Sequence, residues 1–202
     1  MTGGIRVLHV ADDPDFLDLA STVLARQDDR LEIVTESVAA DGLERLTDGT
    51  AAFDCVVSDY QMPELNGLEL LAAVREQYPD LPFILFTGEG SESLASDAIT
   101  YGATDYLRKG TRSEQFELLA NRITNAVERY RSAQRAAELD RIRRVRSEIN
   151  RAVVHADTRT EIERQTCRLI SEADSYRFAW IGTYDPDANT VEPVAGAGVA
   201  LG

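Results

Sequence analysis

The sequence predicts an α/β protein: a doubly wound five-stranded parallel sheet, then a long coiled-coil-like helix and a partial α+β domain. Three observations carry that expectation. Over roughly the first 125 residues, short β-rich apolar runs alternate with helical stripes, the pattern of a parallel sheet covered on both faces. From Thr111 to Ile181 there is neither glycine nor proline, so nothing in that stretch stops a helix. The run Val56-Val57-Ser58 ends in Asp59, with Met62-Pro63 shortly after, which puts a carboxylate at the C-terminal edge of a buried strand.

The elements follow in order. Residues 5–10 form an apolar run suited to a buried strand and lead into Ala11-Asp12-Asp13-Pro14. Residues 15–27 carry Phe16, Leu19, Ala20, Val23 and Leu24 at helical spacing. A second strand is expected over 31–37, a second helix over 38–46 stopped near Gly49, and a third strand over 53–59. Leu65-Asn66-Gly67 turns the chain into a helix that ends before Pro79. A fourth strand over 81–87 ends in Thr87-Gly88-Glu89-Gly90, a short helix near 93–100 is closed by Gly102, and 105–108 is a fifth strand.

The next helix begins near Ser113. Phe116, Leu119, Ile123, Ala126, Tyr130, Ala133 and Ala137 recur at the 3,4 spacing of a coiled-coil seam, resumed by Ile142, Val145, Ile149 and Ala152. If continuous to about residue 156 it would extend roughly 66 Å at 1.5 Å per residue, a spacer able to pair with a copy of itself; the alternative is a broken helix pair folding back. Thr158-Arg159-Thr160-Glu161 has capping-box spacing, so a further helix is expected to about residue 173. Residues 176–184 suggest a strand, 185–189 a turn, and 191–194 its hairpin partner. The domain boundaries expected are 1–125, 126–156 and 157–202. About 45 residues of helix and hairpin bury less than a typical ~100–150-residue domain, so the last unit reads as the front of a larger one.

Composition narrows the function classes. Residues 1–125 hold 9 Lys+Arg against 23 Asp+Glu, a balance of −14, whereas residues 126–159 hold 9 against 5, a balance of +4. An acidic first domain repels nucleic acid and attracts cations, so no direct nucleic-acid contact is expected from this segment. No apolar run approaches the ~20 residues of a membrane span, and the N-terminus has no signal-peptide pattern. Cys55 and Cys167 give no disulfide framework and suit a reducing cytoplasm. Of 21 basic residues, Lys109 alone is lysine. The acid-rich, lysine-poor balance resembles proteins of salt-loving microbes, and a lysine retained against that bias suggests a compact ammonium placed on a small anion.

In a doubly wound sheet the C-terminal ends of neighbouring strands face one crevice. The first strand would deliver Asp12 and Asp13, the third Asp59, the fourth Thr87, and Lys109 follows the fifth. Carboxylates gathered in one pocket repel unless a cation holds them, and few carboxylates with open water positions suit Mg2+. A hydroxyl and an ammonium add partners for a phosphoryl group. Taken singly, each residue has a plainer role: Asp12 or Asp13 as a helix cap, Thr87 as a strand-end residue, Tyr106 as a packed edge aromatic, Gly67 and Gly88 as turn formers, His9 as core.

Asp12-Asp13, Asp59-x-x-Met62-Pro63, Asn66-Gly67, Thr87-Gly88, Tyr106 and Lys109 together resemble the receiver domain of two-component response regulators, in order and spacing, over the whole first domain. The resemblance implies a flavodoxin-like sheet of order 2-1-3-4-5 and a phosphorylation-dependent switch, phosphorylated on Asp59 by a histidine kinase with Mg2+. By the same likeness Asp13 and Asp59 bind Mg2+ with the Gln61 carbonyl, and Asp12 acts through water. Thr87 and Lys109 hold the phosphoryl group, Gly88 leaves room for it, and Tyr106 rotates inward. Enzymatic activity is limited to slow self-phosphorylation and autodephosphorylation. One departure stands out: the family has Lys-Pro, often with a cis peptide, where this chain has Lys109-Gly110.

More weakly, Asn150-Arg151-Ala152-Val153 and Tyr176-Arg177-Phe178-Ala179-Trp180-Ile181-Gly182 resemble the beginning of a GAF-type sensory domain, as in archaeal bacterio-opsin-activator-like regulators, with Phe178 and Trp180 as core. A homodimer through the long helix and the receiver face would carry the signal. The alternatives are a constitutive dimeric scaffold with vestigial phosphorylation and an aspartate-nucleophile phosphatase. The latter needs an acid or base beside Asp59 that Tyr60 and Gln61 do not supply.

Overall fold

The computed structural model describes residues 3–48, 52–88, 91–110, 114–155, 158–172 and 176–198. The chain divides into two compact units, Met1–Ala133 and Gln134–Gly202. The expected stop at Gly49, the Glu89-Gly90 turn, and the helix ends near Ser113, 156 and 173 lie outside the described residues.

In the first unit the order is β1 (Ile5–Val10), α1 (Pro14–Gln27), β2 (Leu31–Glu36), α2 (Ala39–Thr47), β3 (Cys55–Ser58), α3 (Gly67–Gln77), β4 (Phe83–Thr87), α4 (Glu92–Thr100), β5 (Asp105–Arg108) and the start of α5 (Glu114–His155). The five strands are parallel, as the alternation predicts, and lie in the order β2-β1-β3-β4-β5 that the resemblance implies. Every residue of β3 and β4 is buried, because helices cover both faces; their sequences CVVS and FILFT are accordingly apolar runs without alternation.

Side chains on opposite faces of the strands feed two cores. Ile5, Val7, Val57, Ile84 and Phe86 pack under α1 and α5. Leu8, Val10, Val56, Phe83 and Leu85 pack under α2, α3 and α4. The helix starts are written in local chemistry. Asp13 caps α1 by accepting from Asp15 N and Phe16 N, with Pro14 at the first helical position. Asn66 and Glu69 close a reciprocal capping box on α3, and Ser91 caps α4. On α1 the buried stripe is Leu17, Ala20 and Leu24, while Leu19 is 54% exposed.

The seam expected along the long helix divides in two. Phe116, Leu119, Ile123 and Ala126 are buried, and the first three belong to the core of the sheet itself. The 3,4 spacing there records docking onto β-strands, which selects the same helical face as a partner helix would. Residues 132–140 are all exposed. Polar clamps fix the docked part of α5: Arg122 pairs with Asp105 at 3.2 Å, Arg30 bonds Glu128 at 3.2 Å, and Arg131 bonds Asp54 at 2.8 Å and the Gly4 carbonyl at 2.6 Å.

The second unit contains the rest of α5, α6 (Arg159–Glu172), and the antiparallel hairpin β6 (Phe178–Asp185) and β7 (Thr190–Gly198). Thr158 Oγ1 accepts from Glu161 N at 3.3 Å, the cap its spacing predicts. Phe178 and Trp180 are 43% and 51% exposed, not core as expected. Strand alternation explains it: α6 packs on one face of the hairpin, with Ala179, Ile181, Ala195 and Ala197 half-buried, and Phe178 and Trp180 point the other way.

The division of α5 is open to direct measurement. Ile123→Ala should destabilise the first unit by about 2–5 kcal/mol in urea denaturation, the cost of a cavity in a closed core. Leu139→Ala, at an exposed position of the same helix, should change stability by no more than about 0.5 kcal/mol.

Candidate functional site

The strand register brings the site together. Val10 pairs with Ser58, and the Asp59 N–H donates to the Val10 carbonyl at 2.8 Å, so β1 and β3 end side by side. Asp12 and Asp13 leave from one strand and Asp59 from the other. Thr87, buried at the end of β4, pairs with Arg108, and its carbonyl accepts from Lys109 N at 2.7 Å. Asp59, Thr87 and Lys109 therefore stand on three adjacent strand ends.

Asp59 is 8% exposed. Its Oδ1 accepts from the Tyr60 N–H at 2.6 Å and its Oδ2 from Lys109 Nζ at 2.5 Å. A charge-assisted bond of that length is the strong kind, and it also offsets part of the cost of taking both charges out of water. The loop after Asp59 is tight. Gly67 N donates to the Tyr60 carbonyl at 2.9 Å, and a Cβ at Gly67 would overlap the Asp59 carbonyl oxygen and crowd Leu85. Glycine is required there by close approach. Beside Gly88 the opposite holds: a Cβ would meet nothing within 4 Å. Gly88 borders an open cleft of about 530 Å³ that Tyr60, Ser91, Asp97 and Arg108 also line.

Asp13 is partly committed, because both cap bonds go to its Oδ1. Asp12 and Gln61 are exposed at the rim. Among the described residues no three His, Cys, Asp or Glu side chains are gathered so as to hold an ion by themselves. An ion that keeps several waters and takes one or two carboxylates is the kind this donor set fits, and that is the habit of Mg2+ rather than of a structural zinc. Tyr106 packs against the core under α4, with its hydroxyl buried and lacking a hydrogen-bond partner. The Lys109–Gly110 peptide is trans.

Two residues lie beneath the site: His9, the core residue its place in the first strand suggests, and Phe16, whose contact with the site sequence reasoning did not assign. His9 is fully buried, with both ring nitrogens unpartnered, and its ring meets Phe16 edge-on at 5.9 Å. Burial, followed by the Lys109 charge and opposed by Asp59, lowers its pKa from 6.5 to about 3. Phe16 lies beneath Lys109, with Nζ 3.9 Å from its ring centroid. As one apolar residue in a helical stripe, it carried no signal of that contact.

Residues 7–121 match the family model described as response regulator receiver domain. The chain is 37% identical over 116 residues to Two-component response regulator ORR24 of Oryza sativa subsp. indica, covering 57% of this chain and 18% of that protein. It thus spans less than one-fifth of that relative's length. Among solved structures, a response regulator receiver domain protein from Clostridium thermocellum superposes with a TM-score of 0.57 at 28% identity, covering 64% of this chain and 98% of that one. The beryllofluoride-activated NtrC4 receiver domain dimer gives 0.54 at 29% identity, covering 62% and 98%.

The buried histidine makes stability pH-dependent. Between pH 6.5 and about 3 the unfolded chain binds a proton that folded His9 refuses. The stability tied to neutral His9 is therefore complete above pH 6.5 and is lost as pH falls towards 3. Urea midpoints should decline from pH 7.5 to 5 in the native sequence, and His9→Leu should flatten that decline.

Proposed function

Because the chain belongs to the response regulator receiver family, we propose that it is a two-component switch that takes a phosphoryl group on Asp59 from a histidine kinase. The observation that carries this reading is the Asp59–Lys109 pair at 2.5 Å, set at the C-terminal edge of β3 beside the Asp12-Asp13 doublet. An Asp59 carboxylate oxygen attacks phosphorus in line, a bond from oxygen to phosphorus forms, and the donor's bond to phosphorus breaks. Lys109 then pairs with a phosphoryl oxygen, the Thr87 hydroxyl donates to another, and the open space at Gly88 accommodates the group.

Asp13, Asp59 and the Gln61 carbonyl would hold Mg2+, with Asp12 acting through water. Bound there, the ion would offset negative charge on the phosphoryl oxygens. Tyr106, already packed inward with a buried hydroxyl, is the residue that links occupancy of Asp59 to the surface of α4, β5 and α5. Chemistry beyond self-phosphorylation from small donors and autodephosphorylation is not part of the proposal.

The proposed division is a receiver over 1–125, a helical linker over 126–156 and the N-terminal part of a GAF-like domain over 157–202. Dimerisation through the long helix and the receiver face would pass the signal on, in keeping with the dimer named for the activated NtrC4 receiver. A cytoplasmic setting fits the proposed kinase partner. Among the described residues no helix is long and apolar enough to cross a membrane. The acidic first domain disfavours nucleic-acid contact by this segment.

Acetyl phosphate with Mg2+ should label the native protein and leave Asp59→Asn at background, read by intact mass. Labelling that survives Asp59→Asn rejects the assignment.

A further inference from the structure

Lys109 is held at three points. Its backbone N–H extends the β4–β5 ladder to Thr87 O at 2.7 Å, its ammonium donates to Asp59 Oδ2 at 2.5 Å, and the same ammonium lies 3.9 Å from the Phe16 ring centroid. An ammonium over an aromatic face is attracted by the ring quadrupole, most strongly where water is excluded. The Lys109 side chain is 18% exposed, so it meets that condition.

The ring is itself fixed. Phe16 N donates to Asp13 Oδ1 at 3.1 Å, which seats the residue in the first turn of α1. His9, Phe86 and Phe116 pack around it at centroid distances of 5.9, 6.2 and 6.1 Å. The residue after Lys109, by contrast, restrains little: Gly110 has no ring, and the peptide joining it is trans. A four-carbon side chain leaving such a loop needs its position set from elsewhere.

We infer that Phe16 is a positioning residue for Lys109, its ring face holding the ammonium in place beside Asp59. The Asp59 bond alone cannot do this throughout the reaction: attaching the phosphoryl group moves the negative charge from the carboxylate to the phosphoryl oxygens, so the ammonium must exchange one oxygen partner for another. The ring keeps its attraction in both states. The consequence for phosphorylation rests on Asp59 being the phosphoacceptor; the geometric claim does not.

Lys109 is the only lysine in the chain, so protein labelled with 13C,15N-lysine gives the signals of a single side chain. In the native protein its ε-protons should show an upfield ring-current shift. That shift should vanish in Phe16→Leu and persist in Phe16→Tyr. Labelling by acetyl phosphate should slow roughly 5- to 30-fold in Phe16→Leu, the scale of a desolvated cation–π contact, and recover in Phe16→Tyr. Phe16→Met supplies the same readings if the leucine variant does not fold.

An ε-proton shift unchanged by losing the ring overturns the inference. A shift that is lost while labelling stays at the native rate overturns the functional role. Absence of labelling in the native protein, with the ring-current shift present, would count against the phosphoacceptor reading and leave the positioning intact.

Discussion

One ammonium and one carboxylate meet at 2.5 Å in a largely buried setting, and much of the first unit is arranged so that they can. Removing both ions from water costs several kcal/mol each, which direct attraction repays only when the geometry is held closely. Here the backbone holds it. Asp59 is pinned by its N–H to β1 and by the Tyr60 N–H on its own carboxylate, and Lys109 by its N–H to β4. Parallel pairing is what makes this feasible, because strands running the same way deliver their last residues to one edge.

The pair also constrains its surroundings. A second cation below Lys109 would repel it, and His9 is kept neutral there by burial and by the Lys109 charge itself. Phe16 can then offer a π face from beneath while His9, Phe86 and Phe116 pack around it. The floor of the site is thus apolar, while Asp12, Asp13 and Gln61 stand exposed at its rim.

How much of this was legible in the sequence follows from which forces are local. The strands, the caps at Asp13 and Thr158 and the turn at Asn66-Gly67 were readable because each depends on a few adjacent residues. The strand-end residues Asp12, Asp13, Asp59, Thr87 and Lys109 were readable because parallel topology fixes where they go. Contacts between distant elements were not. Phe16 and Lys109 are 93 positions apart, and an apolar residue on a helix looks the same whether it meets a methyl group or an ammonium. The seam of α5 misled for a related reason: Leu119 and Ile123 have the spacing of a coiled coil, but a sheet buries them. Phe178 and Trp180 looked like core because the sequence does not reveal that α6 covers only the other face of their hairpin.

The solitary lysine has a consequence for proteolysis. A protease that cuts only after lysine has one target in the whole chain, the bond between Lys109 and Gly110. That cut would separate the sheet from α5, whose Phe116, Leu119 and Ile123 complete one of the two cores. With the side chain tied to Asp59 and mostly out of solvent, fraying at the chain ends gives such a protease no access. Its cleavage rate would report opening of the domain at its functional edge, a measure of native-state opening that the molecule carries without any engineered site.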